Sequence, residues 1–265
     1  MKFIKKSLAA IAVISALGVS ASANATLTNW YIDTDGPGLN DAKYLVQDYI
    51  DLIGTAYVHN TFTSATTFTF NESGLFQAPS ADGGTISGGV DFTKIINARF
   101  IGSGTGSVGG LLTFNPGGTL TVKNSSSATI AVFNLLSGDA NLAAGTVLPN
   151  GAVSLVFEAT SMLPGYFFDS SMTDIEPLVG TPGAAVLGFV TTNVIPRQGT
   201  VPTSLTGLYN ASFDPDVTDP VVANDTTDLY LSNNGQFRMQ VPEPASLALL
   251  GLGLVGLASR RRIAK

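Results

Sequence analysis

LYLSNNGQFRMQV, residues 229–241, is the stretch on which the fold turns. Leu229 and Leu231 alternate with polar neighbours, and Phe237, Met239 and Val241 alternate again beyond Asn234-Gly235. A period of two is how a half-buried strand reads. Asn-Gly takes up the positive φ angles of a two-residue turn, so the stretch predicts a hairpin closed at 234–235. Working outward, 111–114 and 119–123 flank Pro116-Gly117-Gly118, with Leu120 and Val122 on one face, and 129–135 follows as the next strand of an antiparallel meander. Further strands are expected at 55–62, 66–72, 98–102, 152–159 and 185–191, with Asp82-Gly83 and Asn150-Gly151 as turns. Many short strands joined by Gly and Pro turns point to an all-β fold, an antiparallel β-sandwich or jelly-roll-like ectodomain. One stretch departs from this pattern. Ala42, Leu45, Val46, Tyr49, Ile50 and Ile53 recur at helical spacing and predict a short helix. Residues 214–228, rich in Pro and Asp, read as a loop.

The two ends carry different information. Lys2, Lys5 and Lys6 precede an apolar run at 8–19, and Ala23-Asn24-Ala25 places small residues at the −3 and −1 positions of a cut before Thr26. Residues 1–25 therefore read as a secretory signal peptide. At the other end, Val241-Pro242-Glu243-Pro244 precedes an apolar run at 245–258 and the cluster Arg260-Arg261-Arg262. As a helix that run spans ~21 Å, short of a hydrocarbon core of ~30 Å. Pro242 and Pro244 disfavour helix before it, and the arginines stay on the cytoplasmic side, their stems snorkelling to shorten the mismatch.

The order and terminal position of these features in 241–265 resemble the PEP-CTERM sorting signal of Gram-negative bacteria. The resemblance implies transient insertion in the inner membrane and recognition by the export machinery and a membrane-embedded exosortase. It further implies cleavage near Pro-Glu-Pro and transfer to the surface or matrix of a cell that makes extracellular polysaccharide. Residues 26–240 are then the extracellular β-rich domain. Within it TAYVHNTFTSATTFTFNESGLFQAPSADGG, residues 55–84, is similar to the flocculation-associated PEP-CTERM proteins. That similarity implies a role in binding cells into exopolysaccharide flocs, and carries no catalytic residues with it.

Charge narrows the partners. The 265-residue chain has a formal charge of −6, but seven of its 13 basic residues lie in the terminal segments. Between Thr26 and Gln240 stand 18 acidic and 6 basic residues, a net charge of −12. Such a domain repels phosphate backbones, which excludes nucleic acid as the expected partner. With no cysteine in an exported chain, stability has to come from a core or a bound metal.

Motifs for chemistry are sparse. His59 is the single histidine, so any Ser-His-Asp triad or His-based metal site must use it; a satisfied surface histidine is the expected reading. No Gly-x-Ser-x-Gly occurs. Residues 104–109 fit Gly-x-Gly-x-x-Gly, but a strand follows instead of the helix that would hold a pyrophosphate, and 251–256 in the apolar tail fit the same expression. The acidic loops Asp33, Asp35, Asp41 and Asp214, Asp216, Asp219 offer hard oxygens that suit calcium, although Asp serves turns for local reasons too. No other cofactor is expected. Glu72, Glu158 and Glu176 are the only glutamates before the tail, the raw material for a carboxylate pair of a glycan-active enzyme. Asn71, Asn124, Asn210 and Asn224 stand in Asn-x-Ser/Thr sequons. The expected function is a non-enzymatic surface protein of flocs, biofilm or exopolysaccharide. The alternatives are a secreted glycan-active enzyme and a surface-layer structural protein.

Overall fold

In the computed structural model of the chain, the described residues are 24–26, 29–34, 36–38, 43–82, 96–124, 126–141, 152–180, 186–213, 221–223 and 226–242. The strands are β1 (Asn24–Thr26), β2 (Trp30–Asp33), β3 (Lys43–Val46), β4 (Ile50–Phe62), β5 (Thr67–Ala81), β6 (Asn97–Ser107), β7 (Leu111–Phe114), β8 (Thr119–Lys123), β9 (Thr129–Asn141), β10 (Ala152–Met162), β11 (Phe167–Phe168), β12 (Val186–Pro196) and β13 (Asp228–Pro242). A short 3-10 turn covers Glu176–Leu178, and one helix, α1 (Thr203–Asn210), lies between β12 and β13. The all-β, antiparallel class read from the alternating runs is the observed one.

The sheet closes on itself. Apart from β11, which joins a separate small sheet, the strands from β4 onward pair antiparallel around a ring, and β13 pairs with β12 on one side and with β4 on the other. Of the ten strands in this sheet β1 lies outside the ring, and β7 and β8 share one position, so eight staves make an up-and-down barrel. Thr26–Gln240 form one compact unit.

Closure depends on the opening stretch, and there the hairpin expectation is overturned. β13 runs without a break through Asn234-Gly235: Asn234 pairs with Asn193 and with Ile53, and Gly235 with Thr191 and with Leu52. A strand with a partner on both sides offers Gly235 two ladders, and the extended backbone they impose outweighs the local turn preference. The Pro-Gly-Gly site is corrected in the same sense. β7 and β8 do not pair with each other; both pair with β6 on one side and β9 on the other, at 104–106 and 97–101 of β6. Asn115-Pro116-Gly117-Gly118 is thus an insertion within one stave. Gly117 at φ 97° makes its bend; its N–H donates to the Leu135 carbonyl, and the Leu135 N–H donates to the Gly118 carbonyl.

The short helix expected over Ala42–Ile53 is also absent from the described part of that stretch, where β3 and β4 stand. Leu45 and Ile53 are 44% and 43% exposed, so the apolar residues do not share one buried face as a helix would require. Between the strands, the Asp82 carboxylate accepts the N–H groups of Gln47, Asp48 and Tyr49 at 2.7, 2.7 and 3.0 Å. That long-range clamp turns the chain where local periodicity points to a helix.

The barrel is apolar inside and polar outside. Phe68, Phe70 and Phe76 of β5, Phe100 of β6, Phe114, Phe133, Phe157, Phe189 and Phe237 fill the interior. Phe100 and Phe157 meet edge to face at 5.9 Å, as do Phe70 and Phe114 at 5.0 Å. On β5 and β6 the inward positions pair large with small: Phe68 with Gly106, Phe70 with Gly104, Phe100 with Gly74, Phe76 with Ala98. Alternation of this kind fits rings into the taper of a small barrel. The Gly-x-Gly-x-x-Gly at 104–109 is accounted for by it, since Gly104 and Gly106 face Phe rings and Gly109 turns the chain at φ 70°.

The small sheet β11–β2–β3 covers one end, bringing Ile32 and Phe167 against Ile50, Ile96, Val122 and Phe237. On the outer wall α1 packs Leu205 and Tyr209 over Tyr57, with Ser73 Oγ donating to the Leu205 carbonyl at 3.1 Å.

Candidate functional site

Three places merit attention: the barrel interior, the surroundings of His59, and the outer wall. The interior is nearly full. Among the described residues, spaces of about 60 and 20 Å³ lie within it, room for a few water molecules. Glu72 lines both, opposite Gly102, and is half-buried. Burial pushes its carboxyl up to about 7. Asn233, from β13, lines the same two spaces with its Oδ1 unpartnered.

Glu158 stands on β10 between the inward-facing Phe157 and Ala159, so its side chain leaves the opposite side of the wall from Glu72. Glu176 sits in the 3-10 turn.

His59 lies outward on β4. Its Nδ1 is 2.8 Å from Asp228 Oδ1, the same oxygen that accepts the Tyr57 hydroxyl at 2.7 Å. The Tyr57 pKa is driven upward by burial first and by Asp228 second. Tyr209 meets Tyr57 edge to face at 5.0 Å and lies 6.2 Å from the His59 ring. This is a structural knot joining β4, β13 and α1. Among the described residues no hydroxyl is bonded to the other ring nitrogen of His59.

Of the calcium candidates, Asp33 is buried in β2 and its Oδ1 accepts the Gly36 N–H at 3.0 Å, a turn role. Asp35, Asp41, Asp214, Asp216 and Asp219 lie outside the described residues. The Asn124 amide is engaged on both sides: it donates to the Tyr166 hydroxyl and accepts from the N–H groups of Ser126 and Ala128.

The outer wall holds an open cleft of about 570 Å³ across β13, β4, β5, β6 and β8. Its floor can be traced by register. One row runs Asn234, Ile53, Gln77, Asn97, Lys123; the next runs Ser232, Thr55, Leu75, Arg99. With strands ~4.8 Å apart, five staves carry a row across ~19 Å. Arg197, just past β12, and Ser127, at φ 64° in the β8–β9 turn, also line it. Arg197 is held over the Tyr230 ring at 5.3 Å, and its backbone N–H donates to the Tyr230 carbonyl at 2.7 Å.

Three of the domain's six basic residues, Arg99, Lys123 and Arg197, therefore line one cleft, and among the described residues its lining contains no Asp or Glu. Sequence reading does not find this cleft. The outward parity of Arg99 and Lys123 is visible in the strand pattern, but the register that brings them to one place is not.

The sorting residues stand at the end of β13. That strand ends at Pro242, and Glu243, Pro244, the apolar run 245–258 and Arg260, Arg261 and Arg262 lie outside the described residues. Ala25 of the expected signal cleavage lies in β1, and Ala23 is outside them. Among the described residues no helix is long and apolar enough to cross a membrane. The outward positions of β5 and β8 are mostly Thr, Ser, Asn and Gln, with Leu75 and Lys123 among them.

A family model described as the PEP-CTERM protein-sorting motif matches residues 240–262. The chain carries that motif and is an exported protein of the exosortase-sorted class, directed to the cell envelope or surface. Comparison with curated proteins gives no match, and comparison with solved structures gives none either.

Proposed function

We propose that the protein is a non-enzymatic component of the cell surface or extracellular matrix of a Gram-negative bacterium, holding cells and exopolysaccharide together in flocs or biofilm. The observation that carries this reading is the sorting motif at 240–262, which begins in the last residues of β13. On this reading the apolar run 245–258 spans the inner membrane transiently, too short for a comfortable permanent anchor. Exosortase then cuts near Pro242-Glu243-Pro244, and the barrel leaves the membrane.

The barrel's own features support the second half. Its interior is packed with aromatic rings, Glu72 and Glu158 leave the wall on opposite sides, and its hydroxyl- and amide-rich exterior carries an open polar cleft. Weak polar contacts to a repeating glycan gain strength when many copies sit on one surface.

The test is a strain lacking the protein, complemented with wild type or with Pro244→Ala. Wild type restores aggregation and matrix retention of the barrel, and Pro244→Ala does not. Equal rescue by both would contradict the reading. Shortening of the matrix glycan by the purified mature protein would contradict the non-enzymatic part alone.

A further inference from the structure

We infer that the outer-wall cleft is a binding site for a segment of carboxylate-bearing, anionic polysaccharide. This rests on the proposed role at a polysaccharide-rich surface and names the ligand class of that surface.

The argument is one of charge placement. A domain with 18 acidic and 6 basic residues has few cations to place, and those outside the cleft that the structure describes have partners of their own. Lys43 Nζ sits 3.8 Å from the centre of the Phe168 ring, and Arg238 pairs with Asp48 at 3.3 Å. Arg99 and Lys123 are different: among the described residues neither forms an ion pair or a side-chain hydrogen bond. They stand on neighbouring staves, with Asn97 directly opposite Lys123 and Leu75 directly opposite Arg99. Cations left open in a concave part of an acidic protein, where the described lining carries no acid, focus an anionic ligand there.

The spacing favours a glycan. Amides and hydroxyls from Gln77, Asn97, Thr55 and Ser232 fill the floor between the cations, matching a chain whose carboxylates are separated by hydroxyl-bearing carbons. A polyphosphate, more densely charged, is repelled more strongly by the rest of the domain, which holds 18 acidic and 3 basic residues, a net charge of −15. The cleft's single aromatic residue, Phe76, is buried, so recognition runs through charge and hydrogen bonds instead of ring stacking.

The experiment uses mature protein recovered from the cell surface and measures its binding to polygalacturonate and to the same polymer fully methyl-esterified. Wild type binds the acid form and loses it as salt rises, and the ester binds at least about tenfold more weakly. Arg99→Gln and Lys123→Gln each weaken acid-form binding about tenfold. Arg238→Gln, which removes the same charge outside the cleft, leaves binding unchanged. Thermal midpoints of the variants serve as the folding control. Equal binding of the ester, equal weakening by Arg238→Gln, or equal binding of duplex DNA would each overturn the inference. Correct sorting with no binding to the acid form overturns it too, while leaving the surface role standing; retention of uncut protein in the membrane strikes the surface role independently.

Discussion

Gly104 of β6 stands directly opposite Phe70 of β5 inside the barrel, and the Phe70 ring occupies the space that a side chain on Gly104 would need. The Thr113 carbonyl closes the same space from the other side. A methyl group here has to displace backbone or an interlocked ring, so Gly104→Ala is expected to cost about 2 kcal/mol or more. Chemical denaturation measures it. Gly109, in open space at φ 70°, serves as the comparison: Gly109→Asn, which tolerates that φ, shifts stability little.

Glu72 makes stability depend on pH in a definite direction. Its folded pKa of about 7 lies above the ordinary carboxyl value because burial disfavours the charge. The folded state therefore holds a proton that the unfolded state has released, and the stabilisation is fully present below about pH 4.5 and lost as pH rises through 7. The size of the effect is about 3 kcal/mol. Glu72→Gln removes the proton and flattens the profile over this window, so its gain over wild type appears at pH 8 and not at pH 4. Denaturation midpoints of the two proteins at both pH values check the sign.

Asp82 sits at φ 55° and takes three N–H groups of residues 47–49 onto one carboxylate. Hydrogen bonds to a charged acceptor are the stronger kind. Asp82→Asn keeps the left-handed backbone and one carbonyl oxygen but loses the charge, and is expected to cost about 1–2 kcal/mol. Asp82→Ala costs more. Hydrogen exchange should place the loss at the 47–49 amides first.

Strand positions are legible in the sequence because burial on one face of a sheet forces alternation, as at Phe68, Phe70 and Phe76. Closure is not legible, because it depends on the partners of β13. Asn234-Gly235 and Pro116-Gly117-Gly118 have genuine turn chemistry, yet each stave has a neighbour on both sides, and the ladder decides. The helical spacing from Ala42 to Ile53 fails for a related reason: Asp82, more than thirty residues away, holds that corner. At the cleft, the residue types are visible but the cross-strand register of Asn97 with Lys123 is not. The sorting tail is the opposite case. Its meaning lies in linear order, so Pro242, Glu243, Pro244 and the three arginines can be read without any fold.

The central claim is that the C-terminal segment is an address that is removed. Intact mass of the protein from the inner membrane, the cell surface and the medium, for wild type and for Pro244→Ala, tests it directly. The account predicts surface and medium forms of wild type that begin near Thr26 and lack Arg260, Arg261 and Arg262, with Pro244→Ala held uncut in the membrane. A mature wild-type protein that keeps all three arginines at the membrane would contradict it.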